Sequence, residues 1–168
     1  LNHIYNMFQV YDEVEALISN KDAFQFAIWY HDIIYKASKN NNEEQSALFA
    51  ANRLQKLGLE ESQIELVKSL IISTKKHLAL ANQNISDNEY LLDIDLSILG
   101  ADWNIYKTYC SNIRKEYRIY PAFMYKKGRK QVLKNFLDRD TLYFTDYFKA
   151  KFETQARQNI TRELKQYD

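Results

Sequence analysis

The chain has 168 residues, of which 46% are hydrophobic and 27% charged, with 3 glycines and 1 proline. It is too apolar for a disordered segment and too poor in turn formers for a β-sandwich or barrel, which leaves an all-α fold, expected as one domain over residues 1–168. With 23 basic against 22 acidic residues the net charge is +1, so no global field points to DNA, RNA or a membrane, and partners have to be sought in local patterns.

Apolar residues at helical spacing (Ile4, Met7, Phe8, Tyr11, Val14, Ile18) predict a first helix over 3–19, ended by Asn20. A second helix is expected from Lys21 to Lys36. The polar "SKNNN" that follows is a loop that also supplies an asparagine cap for a third helix from Glu43 to Leu57, stopped by Gly58. The fourth runs from Glu60 to His77 and leads into "LALANQNISDNE", whose Asn, Ser and Asp density marks a connection. After "NEYLLDIDLSILG", closed by Gly100, three more helices are expected: Trp103 to Arg118, Pro121 to Leu137 with proline at its start, and Thr145 to Lys165. The sum is a bundle of about seven helices.

Cys110 is the lone cysteine, which excludes an internal disulfide or thiolate metal cluster and fits a reducing compartment. No apolar run reaches the roughly 20 residues needed to span a bilayer and no leader pattern opens the chain. The expected protein is soluble and cytoplasmic, without a membrane partner. A homodimer is the prior for such a chain, although no stripe marks the surface.

Residues 26–47, "FAIWYHDIIYKASKNNNEEQSA", set His31 and Asp32 among Phe26, Ile28, Trp29, Ile33 and Ile34, all expected to be buried. Burying ionisable groups costs several kcal/mol unless something pairs with them. On a helix His31 neighbours Ala27, Ile28, Ile34 and Tyr35, while Asp95 neighbours Leu91, Leu92, Ile98 and Leu99. Both occupy apolar stripes, whereas Asp93 lies on a mixed face, so Asp95 is the carboxylate expected to be buried. An imidazole and two carboxylates from different helices make a mixed nitrogen and oxygen site suited to a divalent metal. His3 and His77 are the remaining histidines.

The blocks "YHDIIY", "NEEQSA", "LLDIDLSILGAD" and "IRKEYRIYPAFMYKKGRKQVLKNFL", in this order, resemble the HD superfamily of metal-dependent phosphohydrolases. The resemblance implies an HD-domain-like helical fold and hydrolysis of phosphate esters, often of nucleotides. It makes His31 and Asp32 the doublet, Asp95 the distal aspartate and His3 the leading histidine, together holding a divalent ion (Mn, Fe, Ni, Co, Zn or Mg). His77 resembles the additional histidine that some members use for a second metal or for substrate phosphate. Some members also place a glutamate one turn after the doublet, a turn filled here by Ile34, Tyr35 and Lys36.

Phosphate ester hydrolysis needs an acidified water, a proton acceptor and cations for the phosphoryl oxygens. Asp32, Glu43 or Glu44 is the expected acceptor, the two glutamates reading equally well as favourable charges at a helix start. In 114–134, Arg114 and Arg129 are expected to hold phosphate through their guanidinium forks, with Tyr117 and Tyr125 stacking on a base or bonding the phosphate. The substrate would be a small phosphorylated metabolite or a nucleotide. The alternatives are a non-catalytic HD-type nucleotide or metal sensor, and a plain helical interaction protein with a hydrogen-bonded polar core.

Overall fold

The computed structural model describes residues 2–77 and 85–167, and every regular element among them is helical. The predicted connection over 78–84 lies outside the described residues. The chain forms two compact units, residues 1–95 and 96–168.

The first unit contains α1 (Asn2–Val14), extended by a 3-10 turn at Glu15–Leu17, then α2 (Lys21–Tyr30), α3 (Asn42–Lys56), α4 (Glu61–Ser73) and α5 (Ile85–Leu96). Met7, Tyr11 and Val14 of α1 and Phe24, Ala27 and Ile28 of α2 supply part of the core. Small residues such as Ala47 and Ala50 are fully enclosed where α3 packs on α2 and α4. The turn from α1 to α2 is capped twice. Asn20 Oδ1 accepts the Ala23 amide (3.1 Å), and the completely buried Asp87 of α5 accepts the amides of Ser19 and Asn20, both at 2.8 Å. α3 ends as its glycine predicts: Gly58 has φ +81°, its amide donates to Gln55 O and that of Leu59 to Leu54 O, the bond pair of a left-handed helix stop.

Two expectations fail at helix ends. α2 stops at Tyr30, six residues before Lys36, because side chains of α3 take over the backbone beyond it. Ser46 Oγ accepts the Ile34 amide at 3.1 Å, and Asn42 bonds both the amide and the carbonyl of Lys36 at 3.1 Å. Trp29 and Ile33, expected inside, are exposed, and Asn42 serves this loop while the capping position falls to Asn41. α4 stops at Ser73, and His77 sits in a turn with φ +48°.

The second unit opens with a 3-10 turn (Ser97–Gly100), followed by α6 (Trp103–Glu116), α7 (Ala122–Leu137) and α8 (Asp146–Leu164), close to the predicted ranges. Gly100 presses on α8 so closely that an added Cβ would lie 2.6 Å from Phe152 Cβ and 2.9 Å from its carbonyl oxygen. Asn159 of α8 donates to the carbonyls of Leu99 (2.8 Å) and Ala101 (2.7 Å). Thr145 Oγ1 caps α8 through the Phe148 amide.

Candidate metal centre

Three segments of the first unit bring their histidines and aspartates to one point. His3 comes from the first turn of α1, His31 and Asp32 from the end of α2, and Asp95 from the last turn of α5. His31 Nε2 lies 3.3 Å from His3 Nε2, 3.5 Å from Asp32 Oδ2 and 3.8 Å from Asp95 Oδ1, and His3 Nε2 lies 3.0 Å from Asp95 Oδ1. His77 joins from the other side, its Nε2 at 2.9 Å from Asp95 Oδ2. The left-handed backbone of His77, uncommon for a residue with a side chain, is the conformation in which this contact forms.

Burial grades the cluster. The His31 side chain is 2% exposed and that of Asp95 13%, against 38% for His3 and 44% for Asp32, so one imidazole and one carboxylate form the floor and one of each the rim. The backbone fixes the tautomer of His31: a carbonyl can only accept, so the 2.9 Å contact with Ile28 O makes Nδ1 the donor. In the neutral ring Nε2 then keeps its lone pair, aimed at the other side chains.

The charges of these groups support one another. Burial disfavours a protonated His3, but the hydrogen bond to Asp95, its charge and that of Asp32 outweigh this and hold the imidazole above its ordinary pKa. Burial likewise disfavours ionised Asp95. Hydrogen bonds from His3 and His77 and the neighbouring His31 reverse the balance and hold the carboxyl well below its usual range.

The cluster fits a divalent ion in donor type; His3, His31 and Asp32 each offer a ligand atom within 4.8 Å of the other two, and Asp95 adjoins that group through His3 and His31. Two imidazole nitrogens and two carboxylates are a borderline-hard donor set. Ligands about 2.1 Å from one ion stand about 3.0 Å apart in an octahedral arrangement and about 3.4 Å in a tetrahedral one. The four separations His3–Asp95, His3–His31, His31–Asp32 and His31–Asp95, 3.0 to 3.8 Å, run from these values to slightly beyond.

The burial argument that singled out Asp95 has to be corrected. Asp93 is completely enclosed, more deeply than Asp95, whose side chain keeps 13% exposure. Leu91, Leu92 and Ile94 are fully buried too, so the second half of α5 is surrounded and has no separate polar face on which Asp93 could lie.

The expected catalytic and substrate groups are placed differently. Glu44 pairs with Lys75 at 2.5 Å, and that bond holds its carboxyl below the usual value. Glu43 is half-buried in the first turn of α3, where the helix end favours a negative charge. Arg114, Tyr117, Tyr125 and Arg129 belong to the second unit. Arg129 is buried and its fork is taken by Glu163, with Nε at 2.8 Å from Oε1 and an Nη at 2.9 Å from Oε2. Tyr106 and Tyr167 donate to the same carboxylate, at 2.5 and 3.1 Å. The expectation that Arg129 holds phosphate is therefore corrected: a buried guanidinium with this partner has no fork to offer. Arg114 is spent as well, donating to Tyr117 O at 3.0 Å and covering the Tyr125 ring at 4.7 Å. Tyr125 is buried, and Tyr117 stacks on Tyr120.

Sequence reasoning missed Asn42 and Ser46, which pin the loop after Asp32, and Asp87, which fixes the α1–α2 turn. Asn42 stood in view as part of an asparagine run, but a side chain that bonds a backbone six residues earlier leaves no periodic signal. No helix among the described residues is long and apolar enough to cross a membrane. No family model, curated protein or solved structure matches the chain.

Proposed function

We propose that this protein is a metal-dependent phosphohydrolase of the HD type, acting on a small phosphorylated metabolite or a nucleotide, with His3, His31, Asp32 and Asp95 holding a divalent ion. The observation that carries the reading is the convergence of these donors from three separate segments, with His31 locked by Ile28 O in the tautomer whose Nε2 faces the cluster. A divalent ion in such a site supplies positive charge for phosphoryl oxygens and lowers the pKa of water. Asp32, the most exposed of the four, would hold the ion through Oδ2, leaving its other carboxylate oxygen to accept the proton of the attacking water. His77 faces the substrate phosphate while its Nε2 is oriented by Asp95.

A non-catalytic sensor is the second reading. It is favoured by the internal engagement of Glu44, Arg114 and Arg129, which removes three groups that turnover would use. The deciding experiment is elemental mass spectrometry on the purified chain and on His31→Ala and Asp95→Ala, with circular dichroism to confirm folding, followed by a phosphate-release screen over nucleotides and phosphomonoesters. One equivalent of a divalent metal, absent from both variants, together with metal-dependent phosphate release, is the expected result. Metal binding without release of phosphate selects the sensor, and a folded chain that takes up no divalent metal overturns the phosphohydrolase and the metal sensor alike.

A further inference from the structure

The turn joining α6 to α7 in the second unit carries "IYPAFM", residues 119–124, between the basic flanks "RKEYR" and "KKGRK". Its apolar tips point outward: Ile119, Phe123 and Met124 are 63%, 74% and 49% exposed. The turn is braced from beneath. Arg114 donates to the carbonyls of Tyr117 (3.0 Å) and Tyr120 (3.5 Å) and lies over the Tyr125 ring, while the Tyr120 amide closes back on Tyr117 O. The exposed tips thus stand on a held platform. Lys115, Arg118, Lys126 and Lys127 are exposed on either side, and Glu116 is the only acid from Arg114 to Lys130. Along α7, Phe123, Lys127 and Lys134 fall on one stripe of the helix surface.

We propose that this turn docks on the surface of an anionic phospholipid bilayer, with Ile119, Phe123 and Met124 entering the acyl boundary and the flanking cations meeting the headgroups. A protruding apolar wedge between cations suits the interface, where carbon and negative charge lie within one residue's reach of each other. The side chains themselves decide against other occupants. The tips have no polar atom with which to read a nucleic-acid base, and the ring of Tyr125 is covered by Arg114 while Tyr117 packs on Tyr120 and Tyr125. A second copy would bring the same positive flanks face to face. The attachment is interfacial, because no described helix can cross the bilayer.

The test is co-sedimentation of the full chain with vesicles of phosphatidylcholine alone and of phosphatidylcholine with about a third phosphatidylserine, at low and high salt. Partitioning onto the anionic vesicles should be at least about tenfold stronger and should weaken with salt. Phe123→Ser and the double variant Lys126→Glu, Lys127→Glu should each lower it by about tenfold or more, with melting temperature and circular dichroism unchanged, since all three side chains are exposed. Equal partitioning onto both vesicles, or binding that ignores the variants, overturns the proposal. So does binding to a duplex or single-stranded oligonucleotide without vesicle binding, which assigns the turn to nucleic acid, and so does a dimer in sedimentation velocity that Phe123→Ser dissolves, which assigns it to a second copy.

Discussion

A histidine offers a metal ion only the nitrogen that carries no proton, so the Ile28 carbonyl decides what His31 can do. Single partners settle the other ionisable residues in the same way. Glu163 is buried, and burial alone would raise its carboxyl; the hydrogen bonds and charge of Arg129, then the Tyr106 hydroxyl, outweigh it and hold the pKa below its ordinary value. A depressed carboxyl contributes stability that is present above the unfolded-state pKa and is lost as pH falls through the folded one. Glu163→Gln should therefore lower stability near pH 7 by about 3 kcal/mol, and the gap to the parent should close below about pH 4, as followed by urea titrations across pH. Cys110 lies beside the same carboxylate. Burial first, and then the charge of Glu163, push its thiol up to about 12. Iodoacetamide at neutral pH should leave Cys110 unmodified in the folded chain and label it after unfolding, as read by intact mass. Burial of the histidine–aspartate doublet, expected from its place in an apolar run, holds for His31, whose side chain is enclosed, and fails for Asp32, which stands exposed. The spent state of Arg129 could not be read from sequence, because an isolated sequence does not show that a glutamate 34 positions later will face it.

At the scale of elements the instructive boundary is the end of α2. Hydrophobic spacing continues past Tyr30, and Ile33 and Ile34 extend the pattern, so periodicity alone carries the helix to Lys36. What ends it is competition. Ser46 and Asn42 offer the amides of Ile34 and Lys36 side-chain acceptors, and the chain leaves the helix just beyond His31. Asp32 is thereby released from the helix and stands beside the imidazole. Ser46 is completely buried, so Ser46→Ala leaves the Ile34 amide without its acceptor and should cost about 1–3 kcal/mol in chemical denaturation. It should also weaken metal binding by about 10-fold or more, because the doublet loses the support of its following loop. The helices of the second unit were legible nearly to the residue, since proline, threonine and glycine mark their ends through local chemistry. The end of α2 depended on a distant segment.

In the whole molecule the two units carry different kinds of chemistry. The candidate ligands lie in residues 1–95, and the buried Arg129–Glu163 network and the basic turn lie in residues 96–168. A ligand stabilises what it binds by about 2.7 kcal/mol at a hundredfold excess over its Kd. Hydrogen exchange of the full chain with added manganese against excess chelator should then show protection gained in α1, α2 and α5, with the amides of α6 to α8 little changed; protection spread evenly over both units would contradict a metal site held by the first alone. One buried side chain also sets a tolerance for the construction. α1 and α2 leave the Ser19–Asn20 turn like the legs of a pair of dividers, with His3 and His31 at the points. Asp87 grips the pivot, and eight residues farther along the same helix, about 12 Å away, Asp95 stands between the points. A helix advances by about 100° per residue, so one residue inserted in α5 between Asp87 and Asp95 would leave every ligand in the chain and turn the aspartate out of the gap.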